Sequence, residues 1–457
     1  MDAIAFGTDG WRATLDEFTA PRVRIVAQAV ATYLDDEGVP GAVAVGYDAR
    51  ETSRGFAEEI SRVLAANGRD VLVAASDCPT PATVYNVVDR GLAGALVVTA
   101  SHNPPEYNGV KFFPADGTPA MPAVTDAIEA RLAEPGSLPE SEWGDVREVD
   151  FVASHAEHCL ELADADLDGL TVVYDAMHGS GREATPTLLE RAGADVVRRR
   201  CERDPEFGGT PPEPSAENLQ GLVDAVRETD ADLGIANDGD ADRVALATPE
   251  RGFLDENLFF AALYDHLLEE DSGPAVRSVS TTFLVDRVAQ AHGEAVVEVP
   301  VGFKWVAEAM VDHDALLGGE ESGGFTVRGH VPEKDGVLMA LLAAAAEREE
   351  PLDARVDRLL AEHGEVHQGK VSVDCPDDRK PAVIEALGED IPGAVAGTDV
   401  DSVNEADGFK LLLVDGSWLL VRPSGTEPKL RVYAEAGSDE RVDALLAAGR
   451  ELVEPLV

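Results

Sequence analysis

Three aspartates alternate in a short loop and could hold a divalent metal ion. Asp238, Asp240 and Asp242 lie in the sequence Asp-Gly-Asp-Ala-Asp, and Arg243 follows directly. Hard carboxylate oxygens at this spacing suit Mg²⁺, which typically keeps open positions for a phosphate oxygen. In a chain with 87 acidic residues, an ordinary acidic turn is the alternative. Arg243 argues against simple solvation, because a guanidinium can pair with a phosphate that the metal also contacts.

A serine beside a histidine is the second candidate for chemistry. Residues 94–98 predict a buried parallel strand, and Thr-Ala-Ser-His-Asn-Pro follows, with Ser101 and His102 at its centre. Pro104 predicts a turn, so the pair is placed where open α/β sheets bind ligands. Neighbouring strand residues point in opposite directions, so we do not expect a hydrolase-type Ser–His pair. Taken alone, the stretch is more often an ordinary turn.

Other stretches carry groups that suit phosphates and sugars. Arg422, Ser424, Gly425 and Thr426 offer a guanidinium, hydroxyls and a close backbone approach, which together suit an anion. Lys429 and Arg431 add positive charge to this segment in a chain of net charge −50. The Gly-rich stretch 319–324 contains Glu320 and Ser322. Their carboxylate and hydroxyl groups could hydrogen-bond neighbouring hydroxyls of a sugar. Surface turns are the alternative in both places.

Lysine is scarce, and its positions are therefore informative. The chain has seven lysines and 30 arginines, so a lysine suggests a task that arginine cannot perform, such as exchanging a proton. Four of the seven fall in or beside the candidate stretches, namely Lys111, Lys304, Lys334 and Lys429. Lys111 is expected on the strand after the serine loop, where an ordinary strand-edge lysine is the alternative.

Five stretches, taken together and in this order, resemble the α-D-phosphohexomutase family of phosphoglucomutases and phosphomannomutases. They are residues 6–12 (Phe-Gly-Thr-Asp-Gly-Trp-Arg), 99–104, 238–243, 319–324 (Gly-Glu-Glu-Ser-Gly-Gly) and 422–428. The resemblance covers essentially the whole chain, and five ordered motifs make it specific. Trp11 and Ala13 depart from the residues that relatives often have, and the stretch 319–324 is one of several variants in the family.

The resemblance implies a reaction and a role for each candidate residue. Ser101 would be phosphorylated and would join the three aspartates around Mg²⁺, and Lys111 would act as general acid and base. His102 would assist proton transfer or orient the phosphoserine, with Arg12 and Arg243 on the same phosphate. Substrate binding would fall to Lys304, Glu320, Ser322, Arg422, Ser424, Gly425, Thr426 and Arg431. Hexose 1-phosphate and hexose 6-phosphate, of glucose or mannose, would interconvert through hexose 1,6-bisphosphate.

Other functions remain open at this point. Phosphoglucosamine mutase is the alternative on the same scaffold. A sugar-phosphate sensor without activity is the alternative of a different class, and the retention of Ser101, Lys111 and three aspartates argues against it. A haloacid-dehalogenase-type phosphatase is disfavoured, because Asp9 lacks an aspartate two residues later, where Trp11 stands.

Strand and helix patterns alternate through most of the chain. They predict an α/β fold of three similar domains, with mixed, mainly parallel sheets, over 1–150, 151–250 and 251–365. An Asp415-Gly416 hairpin signal and a final helix near 439–453 predict an α+β domain over 366–457. The four would surround a central cleft. Residues 132–146 are rich in Pro, Gly and acids and are interpreted as a linker.

Composition limits the partners and the setting. A net charge of −50 argues against nucleic acid and anionic membranes as partners, and no apolar stretch reaches membrane-spanning length. The negative charges of such a chain repel one another, and high salt screens this repulsion. The charge therefore indicates a cytoplasmic protein of a halophile, haloarchaeal-like. We expect a monomer or small homo-oligomer. The four cysteines have no CxxC spacing, so we expect free thiols rather than a metal cluster or disulfides.

Overall fold

The structure is a computed structural model that describes residues 4–7, 10–425 and 427–457. It contains three α/β units with mixed sheets and a C-terminal unit on an antiparallel sheet, as the sequence predicts. In the described part of the chain, none of the helices has the length and apolar character that crossing a membrane requires.

The first unit is built on a six-stranded sheet of order β1-β5-β4-β2-β3-β6. Its elements are β1 (Trp11–Thr14), α1 (Ala20–Asp36), β2 (Val43–Tyr47), α2 (Ser53–Ala66), β3 (Val71–Ala74), α3 (Thr80–Asp89), β4 (Gly94–Val98), β5 (Tyr107–Pro114), α4 (Pro122–Glu129) and β6 (Val146–Val149). Strands β4, β2, β3 and β6 are parallel, whereas β5 is antiparallel to both β4 and β1. Every residue of β2 and β4 is buried, as expected for parallel strands covered on both faces.

The predicted linker over 132–146 is wrong, because this segment is bonded to the first unit. The backbone N–H groups of Leu138 and Gly144 donate to carbonyls of α2, those of Ala66 and Ala65, at 2.9 and 3.0 Å. Strand β6 then pairs with β3. Composition correctly indicated an exposed, irregular path, but it cannot show where the backbone hydrogen bonds of such a path are made.

The second unit has a five-stranded sheet of order β11-β10-β9-β7-β8. Its elements are α5 (Val152–Ala163), β7 (Thr171–Asp175), α6 (Gly181–Arg191), β8 (Asp195–Arg199), α7 (Gln220–Glu228), β9 (Leu233–Asn237), β10 (Val244–Thr248) and β11 (Gly252–Leu254). Because β11 pairs with β10, this sheet extends past the proposed domain division at residue 250.

The third unit has a four-stranded sheet of order β13-β12-β14-β15. Its elements are α8 (Glu256–Leu267), β12 (Ala275–Ser278), α9 (Leu284–His292), β13 (Val296–Val299), α10 (Phe303–Asp312), β14 (Leu317–Gly319), β15 (Phe325–Val327), α11 (Gly336–Glu349) and α12 (Leu352–His363). The apolar core of this unit is continuous with that of the second, since Leu188, Phe260 and Leu341 belong to one buried cluster.

The fourth unit is a six-stranded antiparallel sheet of order β16-β21-β20-β19-β18-β17. Its elements are β16 (His367–Asp374), α13 (Lys380–Glu389), β17 (Ala394–Val395), β18 (Thr398–Asn404), β19 (Phe409–Leu413), β20 (Trp418–Pro423), β21 (Lys429–Ala436) and α14 (Asp439–Val453). The predicted Asp415-Gly416 hairpin is present, with Gly416 at a φ of 84°. Ser438 begins α14 by accepting a hydrogen bond from the N–H of Arg441.

Candidate active site

A buried arginine fixes the backbone of the loop that carries Ser101. Arg50, only 2% exposed, follows β2, and its guanidinium donates to four carbonyls of the serine loop, those of Ser101, Asn103, Pro104 and Tyr107, at 2.6–3.2 Å. Its Nε donates to buried Asp48 at 3.0 Å. Burial raises the pKa of Asp48, and the charge of Arg50 opposes that rise. The loop is therefore rigidly attached to the end of β2.

Ser101 is buried and points at the aspartate loop. Its Oγ donates to Asp238 Oδ2 at 2.7 Å, and its own N–H donates to Thr99 Oγ1 at 2.8 Å. The residue lies in a turn with a φ of 50°, a left-handed conformation that is uncommon for serine. Ser101 and His102 lie in the predicted turn after the strand, so the alternation of strand side chains does not keep the two apart. Ser101 Oγ and His102 Nδ1 are 3.4 Å apart.

The three aspartates are all buried, and their carboxylates converge beneath Ser101. Asp240 Oδ2 accepts from Thr80 Oγ1 at 2.7 Å and from Lys111 Nζ at 3.0 Å, while Asp242 Oδ2 accepts from Lys111 at 2.8 Å. Lys111 is buried on β5, as predicted for that strand. Gly239 lets the two loops meet, because a Cβ there would lie 2.5 Å from the carbonyl oxygen of Ser101.

The carboxylate cluster has the properties of a metal site. Its ligand oxygens lie within 4.8 Å of one another. Among the residues that the structure describes, no hydrogen bond reaches the buried Asp240 Oδ1 or Asp242 Oδ1. Buried carboxylate oxygens without donors are costly unless a cation approaches them. Hard oxygen donors that remain available in this way fit Mg²⁺.

The close packing of the three aspartates shifts the pKa values of their carboxyl groups. Burial and the neighbouring carboxylates of Asp242 and Asp240 raise the pKa of Asp238 well above its usual range. Burial also acts to raise the pKa of Asp240, but Lys111 and the Thr80 hydroxyl outweigh it and lower that pKa. Without a cation, the raised pKa of Asp238 disfavours the state in which all three carboxylates are ionised. A divalent cation would favour that state, because it attracts the three negative charges.

Two arginines lie beside the serine and aspartate loops. Arg12 lies on β1 and donates to Asn103 Oδ1 at 3.3 Å, within the serine loop. The Nε of Arg243 lies 3.9 Å from Asp242 Oδ1. Burial and the charges of Arg243 and Arg12 lower the pKa of His102 to about 2. His102 is thus a neutral ring at neutral pH, a state that favours orienting a phosphate over donating a proton.

The stretch predicted to bind sugar packs directly on the aspartate loop. It forms the turn between β14 and β15, and the N–H of Val244 donates to the Gly323 carbonyl at 2.9 Å. Glu320 is buried, and its Oε1 accepts from the N–H of Gly302 at 2.7 Å. Burial and the neighbouring Glu321 raise the pKa of Glu320 to about 7. Ser322 is half-buried on the same turn, and Lys304 is half-buried on the first turn of α10.

Protonation of Glu320 should make stability depend on pH. Because its pKa is raised on folding, the stabilisation is complete below the unfolded pKa and is lost as pH rises through about 7. Relative to Glu320→Gln, the wild type should lose about 3 kcal/mol of unfolding free energy between about pH 4.5 and pH 7. Chemical denaturation across this range in constant molar salt measures it. Glu58→Gln, an exposed site, is the control, and parallel profiles for wild type and Glu320→Gln would contradict the expectation.

The phosphate-binding stretch of the fourth unit is built around β20 and β21. Arg422 is buried and donates to Asp407 Oδ2 at 2.7 Å, and Arg431 donates to Glu427 at 2.7 Å. Ser424 is buried and Gly425 is exposed, while Thr426 lies outside the described residues. Lys380 Nζ holds the loop by donating to the Ser424 carbonyl at 2.6 Å. The cationic side chains therefore already have acidic neighbours.

The structure gathers the catalytic candidates at one place. Side-chain contacts join Ser101, His102, Lys111 and the three aspartates, with Arg12 and Arg243 at their edge. The contacts of Arg422 and Arg431 are instead with residues of their own unit. Three residues that contact the site were not assigned from sequence. They are Arg50, Thr80 and Lys334, whose Nζ lies 3.5 Å from Asp242 Oδ2. The scarcity of lysine was the only signal for Lys334.

Comparison with known proteins assigns the chain to a family. Four domain models of phosphoglucomutase/phosphomannomutase match it in order: α/β/α domain I over 3–138, domain II over 150–252, domain III over 255–363 and the C-terminal domain over 371–452. The chain belongs to the phosphoglucomutase/phosphomannomutase family. It is accordingly an enzyme of the α-D-phosphohexomutase superfamily, an intramolecular phosphotransferase of carbohydrate metabolism.

Individual relatives within the family differ in their named substrates. A "Probable phosphoglucosamine mutase" of Methanopyrus kandleri is 36% identical, covering 96% of this chain and 95% of its own. A "Phosphopentomutase" and a "Phosphoglucomutase/phosphomannomutase" of Thermococcus kodakarensis are 34% and 31% identical, covering 99% and 98% of this chain and 98% of each relative. The solved structure of a "putative phosphomannomutase" from Thermus thermophilus is 32% identical with a TM-score of 0.85, covering 99% of both chains.

Proposed function

We propose that the enzyme interconverts hexose 1-phosphate and hexose 6-phosphate through a phosphoserine at Ser101 and a hexose 1,6-bisphosphate intermediate. Glucose and mannose phosphates are the leading substrates. The observation that carries the proposal is the 2.7 Å contact of Ser101 Oγ with Asp238, inside a buried three-carboxylate cluster that Lys111 also contacts. An oxygen placed among prospective metal ligands suits a bound phosphoryl donor better than a bare nucleophile.

The transfer conserves atoms and charge as follows. The bond from phosphorus to Ser101 Oγ breaks while a bond to the free hydroxyl oxygen of the sugar phosphate forms. The hydroxyl proton passes to Lys111, proposed as general base, while the leaving Ser101 Oγ takes up one proton from solvent, and Lys111 returns its proton as general acid in the reverse direction. The bisphosphate then turns over and Ser101 Oγ takes back the other phosphoryl group. Arg12 and Arg243 bind the transferring group, and neutral His102 orients it at 3.4 Å from Ser101 Oγ.

Asp238, Asp240 and Asp242 would hold Mg²⁺ together with an oxygen at Ser101. When bound, the ion would neutralise negative charge on the transferring phosphoryl group. The two carboxylate oxygens that lack hydrogen bonds in the described structure support this assignment. Lys334, which approaches the same Asp242 oxygen as Lys111, would add positive charge on the substrate side.

The remaining candidates would bind the parts of the substrate that do not react. Glu320 and Ser322 would contact the sugar hydroxyls, and Lys304 would approach from the adjacent helix α10. Arg422, Ser424, Gly425, Thr426 and Arg431 would bind the distal phosphate. Since either phosphate must occupy this site in turn, it would recognise charge and shape. The divisions at 150 and 365 stay our proposal for the domains that surround the cleft, and the division proposed at 250 moves past β11, which ends at Leu254.

Glucosamine phosphate is the second candidate substrate. The 36% identical relative carries the name of a phosphoglucosamine mutase. In addition, Glu320 and Glu321 place two carboxylates side by side on the turn beside the aspartate loop, where an ammonium group would be favoured electrostatically. The neutral hexoses lack that ammonium group.

A coupled assay on three hexose 1-phosphates, of glucose, mannose and glucosamine, tests the proposal. Purified protein in molar salt with Mg²⁺ and a trace of the matching 1,6-bisphosphate should convert at least one of them to the 6-phosphate. The ratio of kcat/KM values identifies the sugar. Failure with all three, for protein shown by mass spectrometry to carry phosphoserine, would contradict the proposed function.

We further propose that the enzyme works in a salt-rich cytoplasm, as a monomer or small homo-oligomer, with small sugar phosphates and not nucleic acid as partners. The net charge of −50 supports this setting. Its melting temperature should rise steeply from low to molar KCl, because the Debye length falls from about 30 Å at 0.01 M to about 3 Å at 1 M. Scanning calorimetry measures the shift. A melting temperature indifferent to salt would exclude the halophile interpretation.

A further inference from the structure

A second cluster of ligand-type side chains lies away from the aspartate loop, where α5, α3 and the segment before α11 meet. His155 Nε2 lies 2.6 Å from Asp335 Oδ2, and Cys159 Sγ lies 3.4 Å from the same histidine nitrogen. His330 Nε2 lies 2.9 Å from the same Asp335 oxygen. All four side chains are buried. An imidazole, a thiol and a carboxylate thus meet within 4.8 Å of one another, and a second imidazole, that of His330, approaches the carboxylate.

We propose that His155, Cys159, His330 and Asp335 form a tetrahedral zinc site. Imidazole nitrogen, thiolate sulfur and carboxylate oxygen are the donors that Zn²⁺ takes, and four protein ligands make a closed structural site. Ligand atoms of His155, Cys159 and Asp335 already lie within 4.8 Å of one another. With zinc ligands at about 2.0–2.3 Å from the ion, His155 Nε2 and Asp335 Oδ2 would separate from their 2.6 Å contact, and the ring of His330 would move toward His155 and Cys159.

Hydrogen bonds alone account poorly for this arrangement. His155 Nε2 faces both a carboxylate oxygen and a sulfur, although one ring nitrogen carries at most one proton. His330 Nε2 approaches Asp335 without the alignment of a hydrogen bond, and in the described structure it is a buried nitrogen with no hydrogen-bond partner. An ion between His155, Cys159 and Asp335 would be bonded by these three groups, and His330 Nε2 would become its fourth ligand.

Local chain geometry and outer contacts favour the same assignment. His155 and Cys159 are four residues apart on α5, so they share one helix face. Asp335 uses Oδ1 to begin α11, accepting from the N–H groups of Val337 and Leu338 at 2.9 and 2.8 Å, and leaves Oδ2 for the site. His330 Nδ1 lies 3.0 Å from His158 Nε2, a partner that fixes the ring orientation as in metal-bound histidines.

Charge balance is met when zinc binds. Burial raises the pKa of the Cys159 thiol, so the thiol is neutral without a metal. Zn²⁺ binding would form a Zn–S bond and release to solvent the thiol proton and the proton held between His155 and Asp335. A thiolate, a carboxylate and two neutral imidazoles then cancel the two positive charges of the ion. The site would tie α5 of the second unit to the segment that carries Lys334.

Cobalt substitution tests the site without relying on catalysis. The protein is first stripped of metal by a chelator and then saturated with Mg²⁺, which occupies the aspartate loop. It is then titrated with Co²⁺. One equivalent should produce a thiolate-to-cobalt charge-transfer band and the intense visible bands of a tetrahedral site. Cys159→Ser should lose the charge-transfer band, whereas Cys375→Ser, another buried free thiol, should keep it.

Metal content and stability provide the second readout, which needs no variant. Wild-type protein purified with zinc in the medium should hold about one zinc per chain by elemental analysis. Its melting temperature should rise when stripped, Mg²⁺-saturated protein receives one equivalent of Zn²⁺. Absence of the charge-transfer band in wild type, or a band that survives Cys159→Ser, would overturn the proposal. Wild type that gains no stability from zinc would leave the cluster a hydrogen-bonded charge network and would also overturn it.

Discussion

Replacing Ser101 with alanine is expected to reduce mutase turnover by about 10⁴-fold or more, because the phosphoryl donor itself is removed. The hydroxyl donates to Asp238 and is buried beside the aspartate loop, so no other described hydroxyl occupies its position. The backbone of the loop should persist, since Arg50 holds it through carbonyl groups that alanine retains. The change should therefore affect chemistry far more than stability.

Two measurements check this expectation. Intact-protein mass spectrometry before and after phosphatase treatment should find one phosphate on wild type and none on Ser101→Ala. The hexose 1-phosphate assay, with added 1,6-bisphosphate, should then give wild-type turnover only for the protein that can carry phosphate. Ser61→Ala removes an equally buried hydroxyl that bonds the Ala57 carbonyl on α2, and it should behave as wild type. Full activity of Ser101→Ala would rule out the phosphoserine mechanism.

Substitution of Arg422 should give a different kinetic pattern. This side chain is proposed to bind the phosphate that does not react, and its loss should mainly raise KM, with a smaller loss of kcat as remote binding energy disappears. Phosphoserine content should be unchanged. The contrast between the two variants separates a donor from a binding group, which turnover at one substrate concentration cannot do.

Sequence patterns located the elements well where burial is uniform. The apolar stretch 94–98 coincides with β4, and the Asp415-Gly416 signal with its hairpin, because each depends on local periodicity or turn geometry. The same sequence patterns did not predict the directions of individual side chains. The loop at Ser101 and His102 was predicted, but the 3.4 Å contact of their side chains was not, because it depends on the left-handed conformation of Ser101.

Long-range partners of the site were beyond local patterns. Arg50 contacts the serine loop across more than 50 residues of sequence, and Thr80 contacts Asp240 across 160. Lys334 reaches Asp242 only because the second and third units share one apolar core. The two histidines, the cysteine and the aspartate of the proposed zinc site come from α5 and the segment before α11, so the search for CxxC spacing missed them. Such sets assemble only through tertiary contacts.

Asp240→Asn is expected to lower kcat by about 10³-fold while leaving the fold intact. The substitution keeps the shape and an acceptor for the Thr80 hydroxyl, and Lys111 keeps its 2.8 Å contact with Asp242. It removes one of three buried carboxylates, and thus one charged ligand for Mg²⁺. Asp353→Asn is the control, because Asp353 is a buried aspartate outside this cluster that accepts from Thr248. Near-normal activity with intact phosphoserine would refute the metal assignment.

The effect of Mg²⁺ on stability distinguishes a lost ligand from a lost structural contact. A ligand that binds only the folded state stabilises it by about 2.7 kcal/mol at 100 times its Kd. Wild type and Asp353→Asn should both show this increase in melting temperature with added Mg²⁺, whereas Asp240→Asn should not at the same concentration. Without metal, Asp240→Asn should melt close to wild type, because weaker pairing with Lys111 is offset by less repulsion among the crowded carboxylates. A variant that melts far below wild type without metal, yet still gains stability from Mg²⁺, would show that Asp240 serves the fold and not the ion.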